Sequence, residues 1–345
     1  MLEWKEIKLD DGRLLYTGRI DWRGGSPVFV FPATSLRFRF RGTARLTVGN
    51  KRQYWSSFFG VIVDGQQQRV RLAETGETVI DIPGGGEAEH EALVFKRMDS
   101  CHEVTLIRLE LAGELLAPPQ RPRRRMEIYG DSVSAGELAE AEAYVGRPDP
   151  EHDGEYSNSW YSYGWMTARL LGAELHDIAQ GGIALMDKTG WFQEPEYVGM
   201  ESVWDKVCCN TALHEPAPWD FSRWQPQLVL VAIGQNDSNP LDYMRLSPHG
   251  EEARRWKAHY RGFLQNLRGV YPLASIVCIT TLLEHDRGWD EAVEEVCGSL
   301  ADPRITHYLF RRNGRGTPGH LRIPEAREMA EELVCYIEGL QIQGW

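Results

Sequence analysis

No run of about 18 apolar residues occurs anywhere in the chain, so no segment is expected to span a bilayer. Cysteine is sparse: six in 345 residues, scattered, with no C-x-x-C and no closely spaced His/Cys quartet. That pattern excludes a disulfide framework and a zinc site of ordinary spacing, the adjacent Cys208-Cys209 included. Positive charge is in deficit, 38 Lys+Arg against 50 Asp+Glu, for a formal net charge of -12. Such a surface repels phosphate backbones and anionic headgroups, so neither nucleic acid nor membrane is expected as a partner. A neutral substrate fits better. The first residues, Met1-Leu-Glu-Trp-Lys-Glu, lack the apolar stretch of a signal peptide, so a cytoplasmic location with reduced thiols is the expectation. Internal repeats and low-complexity tracts are also lacking. Self-association into a homo-oligomer is left open.

What is present changes character near residue 120. Before it, short alternating runs such as Arg13–Thr17, Leu36–Phe40, Ala44–Val48, Phe58–Val63 and Val104–Leu111 are separated by turn signals. Period-two alternation marks strands with one buried face. Asp11-Gly12 and Asp64-Gly65 are read as hairpin turns. Many short strands without a helical stretch predict an antiparallel β-sandwich or jelly roll over 1–118. Pro118-Pro119-Gln-Arg-Pro122-Arg-Arg-Arg125 reads as a stiff, solvated connector. From 119 to 345, strand-like runs at Met126–Tyr129, Glu174–Ile178, Leu228–Ile233, Ser275–Thr280 and 304–310 alternate with helical patterns near 158–172, 251–270, 288–300 and 323–340. This alternation predicts an α/β domain with a central parallel sheet covered on both faces.

In such a sheet the site lies beyond the carboxyl ends of the strands. Four strand ends carry chemistry. Gly130-Asp131-Ser132 follows the first and can present a serine hydroxyl at a strand-to-helix turn. Gly181-Gly182 follows the second and can offer a backbone N–H. Asn236 in Gly234-Gln-Asn-Asp237 follows the third and can offer a side-chain N–H. His320 in Gly316-Thr-Pro-Gly-His precedes the last helix and can act as a base. Each alone is ordinary turn chemistry. Together they are the parts of acyl transfer through a serine ester, which requires no cofactor and no metal. Asp149-Pro-Glu-His-Asp153 carries metal-like letters but reads as a solvated loop.

On these four blocks the second domain resembles the SGNH (GDSL) hydrolases. The whole chain resembles the family-2 carbohydrate esterases, in which a jelly roll precedes a flavodoxin-like SGNH domain. The segments that carry the resemblance are His90–Met98, Met126–Ser132, Trp219–Pro226, Val231–Asp237 and Gly319–Ala330. The resemblance implies removal of acetyl groups from the hydroxyls of xylo- or other oligosaccharides. It implies Ser132 as nucleophile and His320 as general base, with Ser132, Gly182 and Asn236 around the oxyanion and Gly181 the alternative to Gly182. A general short-chain or lipid esterase of the same fold is the enzymatic alternative, and a binding protein that has lost catalysis the non-enzymatic one.

Two departures stand out. The acid usually found two or three residues before the histidine is replaced by Pro318 and Thr317, and Leu321 replaces the proline that follows it. The partner of His320 is left open among Asp131, Asp237 and a backbone carbonyl. Finally, the 186–224 segment holds Trp191, Phe192, Tyr197, Trp204, Trp219, Phe221 and Trp224 with Glu194, Glu196 and Glu201. It is either a packed insertion or a wall of the saccharide cleft, with Trp191, Trp204 and Trp219 as stacking faces.

Overall fold

The structure, a computed structural model, describes residues 3–192 and 198–345. Tyr197, Glu194 and Glu196 of the aromatic segment lie outside the described residues.

The N-terminal domain is built from ten strands: β1 Lys5–Ile7, β2 Leu15–Thr17, β3 Ile20–Asp21, β4 Val28–Phe29, β5 Ser35–Arg52, β6 Phe58–Val63, β7 Gln66–Arg71, β8 Glu77–Ile82, β9 His90–Lys96 and β10 His102–Leu115. They form one antiparallel sheet that curls on itself. The runs Leu36–Phe40 and Ala44–Val48, expected as separate strands, are the two halves of β5. The first half pairs with β2 and β9, the second with β8, and β10 runs beside most of its length. One strand thereby serves both layers, which encloses a core of Leu36, Phe38, Phe40, Leu46, Val48, Phe59 and Val94. Alternation along β5 drives this, because its even-numbered apolar side chains share one face.

Asp64-Gly65 is the hairpin turn between β6 and β7, both residues at positive φ (50° and 82°). Asp11-Gly12 is not a hairpin: β1 pairs with β10 and β2 with β5. Asp11 instead bonds the Arg13 guanidinium and backbone N–H.

The second domain has a five-stranded parallel sheet: β11 Arg124–Gly130, β12 Ala173–Ala179, β15 Leu228–Ala232, β16 Ser275–Ile279 and β17 Ile305–Tyr308, in the order β12-β11-β15-β16-β17. A small ribbon of β13 (Lys206–Cys208) and β14 (Ala217–Pro218) stands apart. The helices are α1 Ser132–Ala135, α2 Tyr163–Leu170, α3 Met200–Val203, α4 Tyr243–Leu246, α5 Glu251–Val270, α6 Arg287–Ser299 and α7 Ile323–Glu338. Val229 and Val231 pack in one cluster with Trp256 and Tyr260 of α5 and Trp289 of α6. Leu228 and Leu230 pack in the other with Tyr163 of α2 and Met329 and Leu333 of α7. Burial on both faces is why this strand reads as an unbroken apolar run.

We propose the division between the domains at residues 118/119, inside the segment joining β10 to β11. The two domains share a buried polar joint. Arg19 is fully buried and donates to the Trp204 carbonyl (2.6 Å), the Lys206 carbonyl (3.0 Å), Glu127 (3.0 Å) and the Tyr129 hydroxyl (2.6 Å). Among the described residues, no helix is long and apolar enough to cross a membrane.

Candidate active site

The four blocks converge beyond the carboxyl ends of β11, β12 and β15, on a cleft of about 950 Å³. Asp131 ends the β11 turn by accepting the Val133 N–H at 3.0 Å, which caps α1 and aims Ser132 outward. Ser132 is the first residue of α1, so its own N–H has no acceptor within the helix. Burial pushes the Asp131 carboxyl up to about 6.

His320 comes from the loop ahead of α7. Its Nε2 lies 2.7 Å from Ser132 Oγ, and its Nδ1 lies 2.6 Å from Asp149 Oδ2. The carboxylate that bonds His320 is therefore Asp149. It is none of the three partners considered from sequence, and the loop assigned to solvent is part of the site. Asp149 Oδ1 also accepts the His320 backbone N–H (2.8 Å) and the buried Arg322 guanidinium (2.7 Å). Thr317 and Pro318 play no such part. Thr317 is buried in a short extended pairing with Leu283, and Pro318 lines the cleft. The sequence signal lay in Gly319: a Cβ there would run into Asp149 and the Arg147 carbonyl. The residue before His320 is small because an acid from elsewhere fills the space.

A second pair stands over this one. His152 Nδ1 is 2.6 Å from Glu137 Oε1, its Nε2 is 3.4 Å from Asp149 Oδ2, and its ring meets the His320 ring edge-on at 5.4 Å. Hydrogen bonds to Asp149 and Glu137 push His152 up to about 10. Burial works against the Asp149 carboxylate, yet bonds from His152, His320 and Arg322 outweigh it and hold Asp149 well below the usual range. Burial also pulls His320 down, and the Asp149 hydrogen bond with the negative charge of Glu137 more than offsets it. The net direction for His320 is upward.

The glycine block resolves into unlike roles. Gly181 donates its N–H to Asp99 at 2.8 Å and is engaged. Gly182 lines the cleft at φ 72°, a conformation that suits glycine. Its carbonyl accepts the Trp191 and Phe192 N–H groups at 2.8 and 3.0 Å. Asn236 Nδ2 donates to the Ile183 carbonyl at 3.0 Å and makes only a long contact, 3.4 Å, with Asp131. One amide hydrogen is thus weakly held, on a side chain that lines the cleft. Asp237 is buried behind it and accepts the Leu185 and Met186 N–H groups.

Of the three tryptophans expected at the cleft, only Trp191 lines it, with 64% of its surface exposed. Trp204 and Trp219 are corrections. Trp219 is buried beside the Arg19 guanidinium, and Trp204 packs on Phe221 and Phe263. A buried arginine needs such neighbours, which is why these indoles belong to the domain joint and not to the cleft. The second aromatic face was missed: Trp55, from the N-terminal domain, stands at positive φ (62°) with its ring 6.1 Å from that of His152.

Asp149, His152 and His320 bring ligand-capable atoms within 4.8 Å of one another. Each of those atoms already has a partner in Ser132, Glu137, Arg322 or the group itself.

Ser132, His320 and Asp149 form a hydrogen-bonded line beyond the carboxyl ends of a parallel sheet, an arrangement able to support chemistry at a serine hydroxyl. Comparison with known proteins agrees at the level of the fold. Residues 16–119 match the family model for the carbohydrate esterase 2 N-terminal domain. The chain is 27% identical over 344 residues to the cellulase/esterase CelE of Acetivibrio thermocellus, covering 95% of this chain and 40% of that protein. It is 28% identical over 331 residues to the acetylxylan esterase / glucomannan deacetylase of Cellvibrio japonicus, covering 93% of this chain and 86% of that protein. The solved structure of a family two carbohydrate esterase from Clostridium thermocellum, in complex with cellohexaose, superposes with a TM-score of 0.79 at 24% identity, over 94% of this chain and 98% of that one. The chain is like the family 2 carbohydrate esterases, with a curled antiparallel sheet domain followed by a parallel-sheet domain.

Proposed function

We propose that this protein is a serine esterase that removes acetyl groups from carbohydrate hydroxyls through an acyl-serine intermediate. The observation that carries the reading is the unbroken line Ser132 Oγ, His320 Nε2, His320 Nδ1, Asp149 Oδ2, with bonds of 2.7 and 2.6 Å. Ser132 attacks the acetyl carbonyl carbon and His320 takes its proton. Asp149 holds the imidazole in the tautomer with Nε2 free and balances the imidazolium that forms. The oxyanion is met by the N–H groups of Ser132 and Gly182 and by Asn236 Nδ2. His320 then returns the proton to the leaving sugar oxygen. Water attacks the acyl-serine with the same histidine as base, releasing acetate and restoring the Ser132 hydroxyl. No cofactor enters this scheme.

The cleft supports a sugar over a lipid. Glu137, Asp242, Glu284 and Asp286 border it, a poor wall for an acyl chain, while Trp55 and Trp191 offer flat faces to the apolar sides of pyranose rings. The relative named for both acetylxylan and glucomannan points the same way. A binding protein without catalysis drew its support from the absent acid, and Asp149 removes that support. Six free cysteines, five of them buried, favour a reducing, cytoplasmic setting.

Acetate release from acetylated xylo- and manno-oligosaccharides tests the reading. Turnover by the wild type and none by Ser132→Ala is expected. Hydrolysis of simple acyl esters without any release from the saccharides would overturn the substrate class.

A further inference from the structure

The proposed mechanism needs the Gly182 N–H to point into the cleft, and nothing in Gly182 itself ensures this. Flanked by Gly181, its peptide unit is among the easiest in the chain to turn over. The orientation is set from the other side of the same plane. In a trans peptide the Gly181 carbonyl and the Gly182 N–H point in opposite directions. The Gly181 carbonyl accepts from Gln180 Nε2 at 3.0 Å, away from the cleft.

Gln180 is in turn held by the N-terminal domain. After β9 the chain runs through Asp99, Ser100 and Cys101, all buried. Gln180 Nε2 donates to Asp99 Oδ2 at 3.0 Å and lies 3.1 Å from Cys101 Sγ, and its Oε1 accepts from the Ser100 hydroxyl. The reversed amide would set Oε1 against a carboxylate and a carbonyl, so only one orientation satisfies these partners. Asp99 Oδ2 also accepts the Gly181 N–H at 2.8 Å, and Asp99 Oδ1 accepts the Cys101 N–H at 3.0 Å. The buried Lys96 ammonium ties the turn by donating to the carbonyls of Met98 (2.7 Å) and Asp99.

We propose that Asp99 and Ser100 of the N-terminal domain are positioning residues for the oxyanion hole: they fix the Gln180 amide, which fixes the 181–182 peptide and so aims the Gly182 N–H. The inference rests on the esterase reading above. It gives the jelly-roll domain a catalytic consequence separate from any contact that Trp55 makes with substrate. If the clamp is released, the peptide can turn and place the Gly181 carbonyl where the oxyanion forms, which repels it and removes a donor at once.

The test compares full-length Asp99→Asn and Ser100→Ala with the wild type. Asp99→Asn keeps the volume but sets an N–H group against a donor that the carboxylate accepted. On p-nitrophenyl acetate, kcat should fall roughly tenfold to a hundredfold, short of the loss of a whole oxyanion donor, with KM within about twofold. Affinity for a boronic acid that forms an anionic tetrahedral adduct on Ser132 should fall by a similar factor. Ser100→Ala removes one buried hydroxyl and should lower kcat by roughly threefold to tenfold, also without a change in KM. It carries the test if Asp99→Asn does not fold. Folded variants with wild-type kcat, or with a loss confined to KM, overturn the clamp. A wild type without acetyl-ester turnover overturns the esterase reading instead, so the two failures are distinct.

Discussion

Two loops meet at His320, and they differ in what each contributes. The segment from Gly316 to His320 carries the base and stays close in sequence to α7, which begins at Ile323. The loop that contains Asp149 lies 171 residues upstream and supplies the carboxylate to the same imidazole. The first loop looks like an incomplete catalytic block, the second like a solvated acidic turn. Together they make a complete relay. A missing residue in a motif is therefore a question about space, and the answer here is that Gly319 leaves room for an acid brought in from between α1 and α2.

The largest expected effect tests the premise that both loops serve Ser132. Ser132→Ala should lower kcat by roughly 10⁴ or more while thermal unfolding stays unchanged, since the hydroxyl of a nucleophile has no substitute. Residual turnover within tenfold of wild type would mean that the two loops converge on some other chemistry.

Next comes the comparison itself. Asp149→Asn should lower kcat by roughly 10³-fold, because an amide can favour the wrong histidine tautomer and balances no imidazolium. Thr317→Asp should gain nothing. Thr317 is buried, its carbonyl accepts the Glu284 N–H at 2.8 Å, and His320 Nδ1 is already engaged. A carboxylate buried there without a partner should cost about 2 kcal/mol, read as a lower melting temperature. Recovery of Asp149→Asn by Thr317→Asp would break the argument, by showing that either loop can host the acid.

How much of this was legible follows from the kind of interaction. The sandwich, the parallel sheet, α5, α6 and α7 were readable because apolar periodicity is local. Ser132, Gly182, Asn236 and His320 were readable because strand ends are where a doubly wound sheet gathers its chemistry. Asp149 was not, since its partner lies far along the chain and it sits between Pro148 and Pro150 in a stretch that reads as an ordinary charged turn. The tryptophans failed for a related reason: composition cannot separate Trp191, in the cleft, from Trp219, which shields Arg19. That arginine arrives from the other domain, and no window of sequence contains both.

Asn236→Ala should lower kcat roughly 10²–10³-fold with KM nearly unchanged, as for one donor aimed at a developing charge. A loss seen in KM alone would recast Asn236 as a residue that orients the sugar. The pH profile distinguishes the loops more finely. His320 is raised in the folded protein, so the acid limb of kcat/KM should lie above the ordinary histidine value of about 6.5. The same sign makes its ion pair stabilising below that value, with the contribution lost as pH rises through the raised pKa. Glu137→Gln removes a negative charge near the ring and should move the acid limb downward. An unchanged limb would mean that the Glu137–His152 pair does not reach His320 electrostatically.

The smallest effects separate cleft from joint. Trp191 is mostly exposed and anchored through its backbone N–H on the Gly182 carbonyl, so its indole is free to stack on substrate. Trp191→Ala should raise KM for an acetylated oligosaccharide a few-fold, since stacking on one ring is worth about 1 kcal/mol, and leave the rate on p-nitrophenyl acetate and the melting temperature unchanged. Trp219→Ala should do the reverse. Removing a buried indole beside Arg19 opens a cavity and takes away a face on which the guanidinium rests, at a cost of roughly 3 kcal/mol in stability with no effect on KM. Calorimetry and saccharide kinetics on the two variants decide the matter. If Trp219→Ala altered KM at an unchanged melting temperature, the domain joint would have to be redrawn as part of the substrate path.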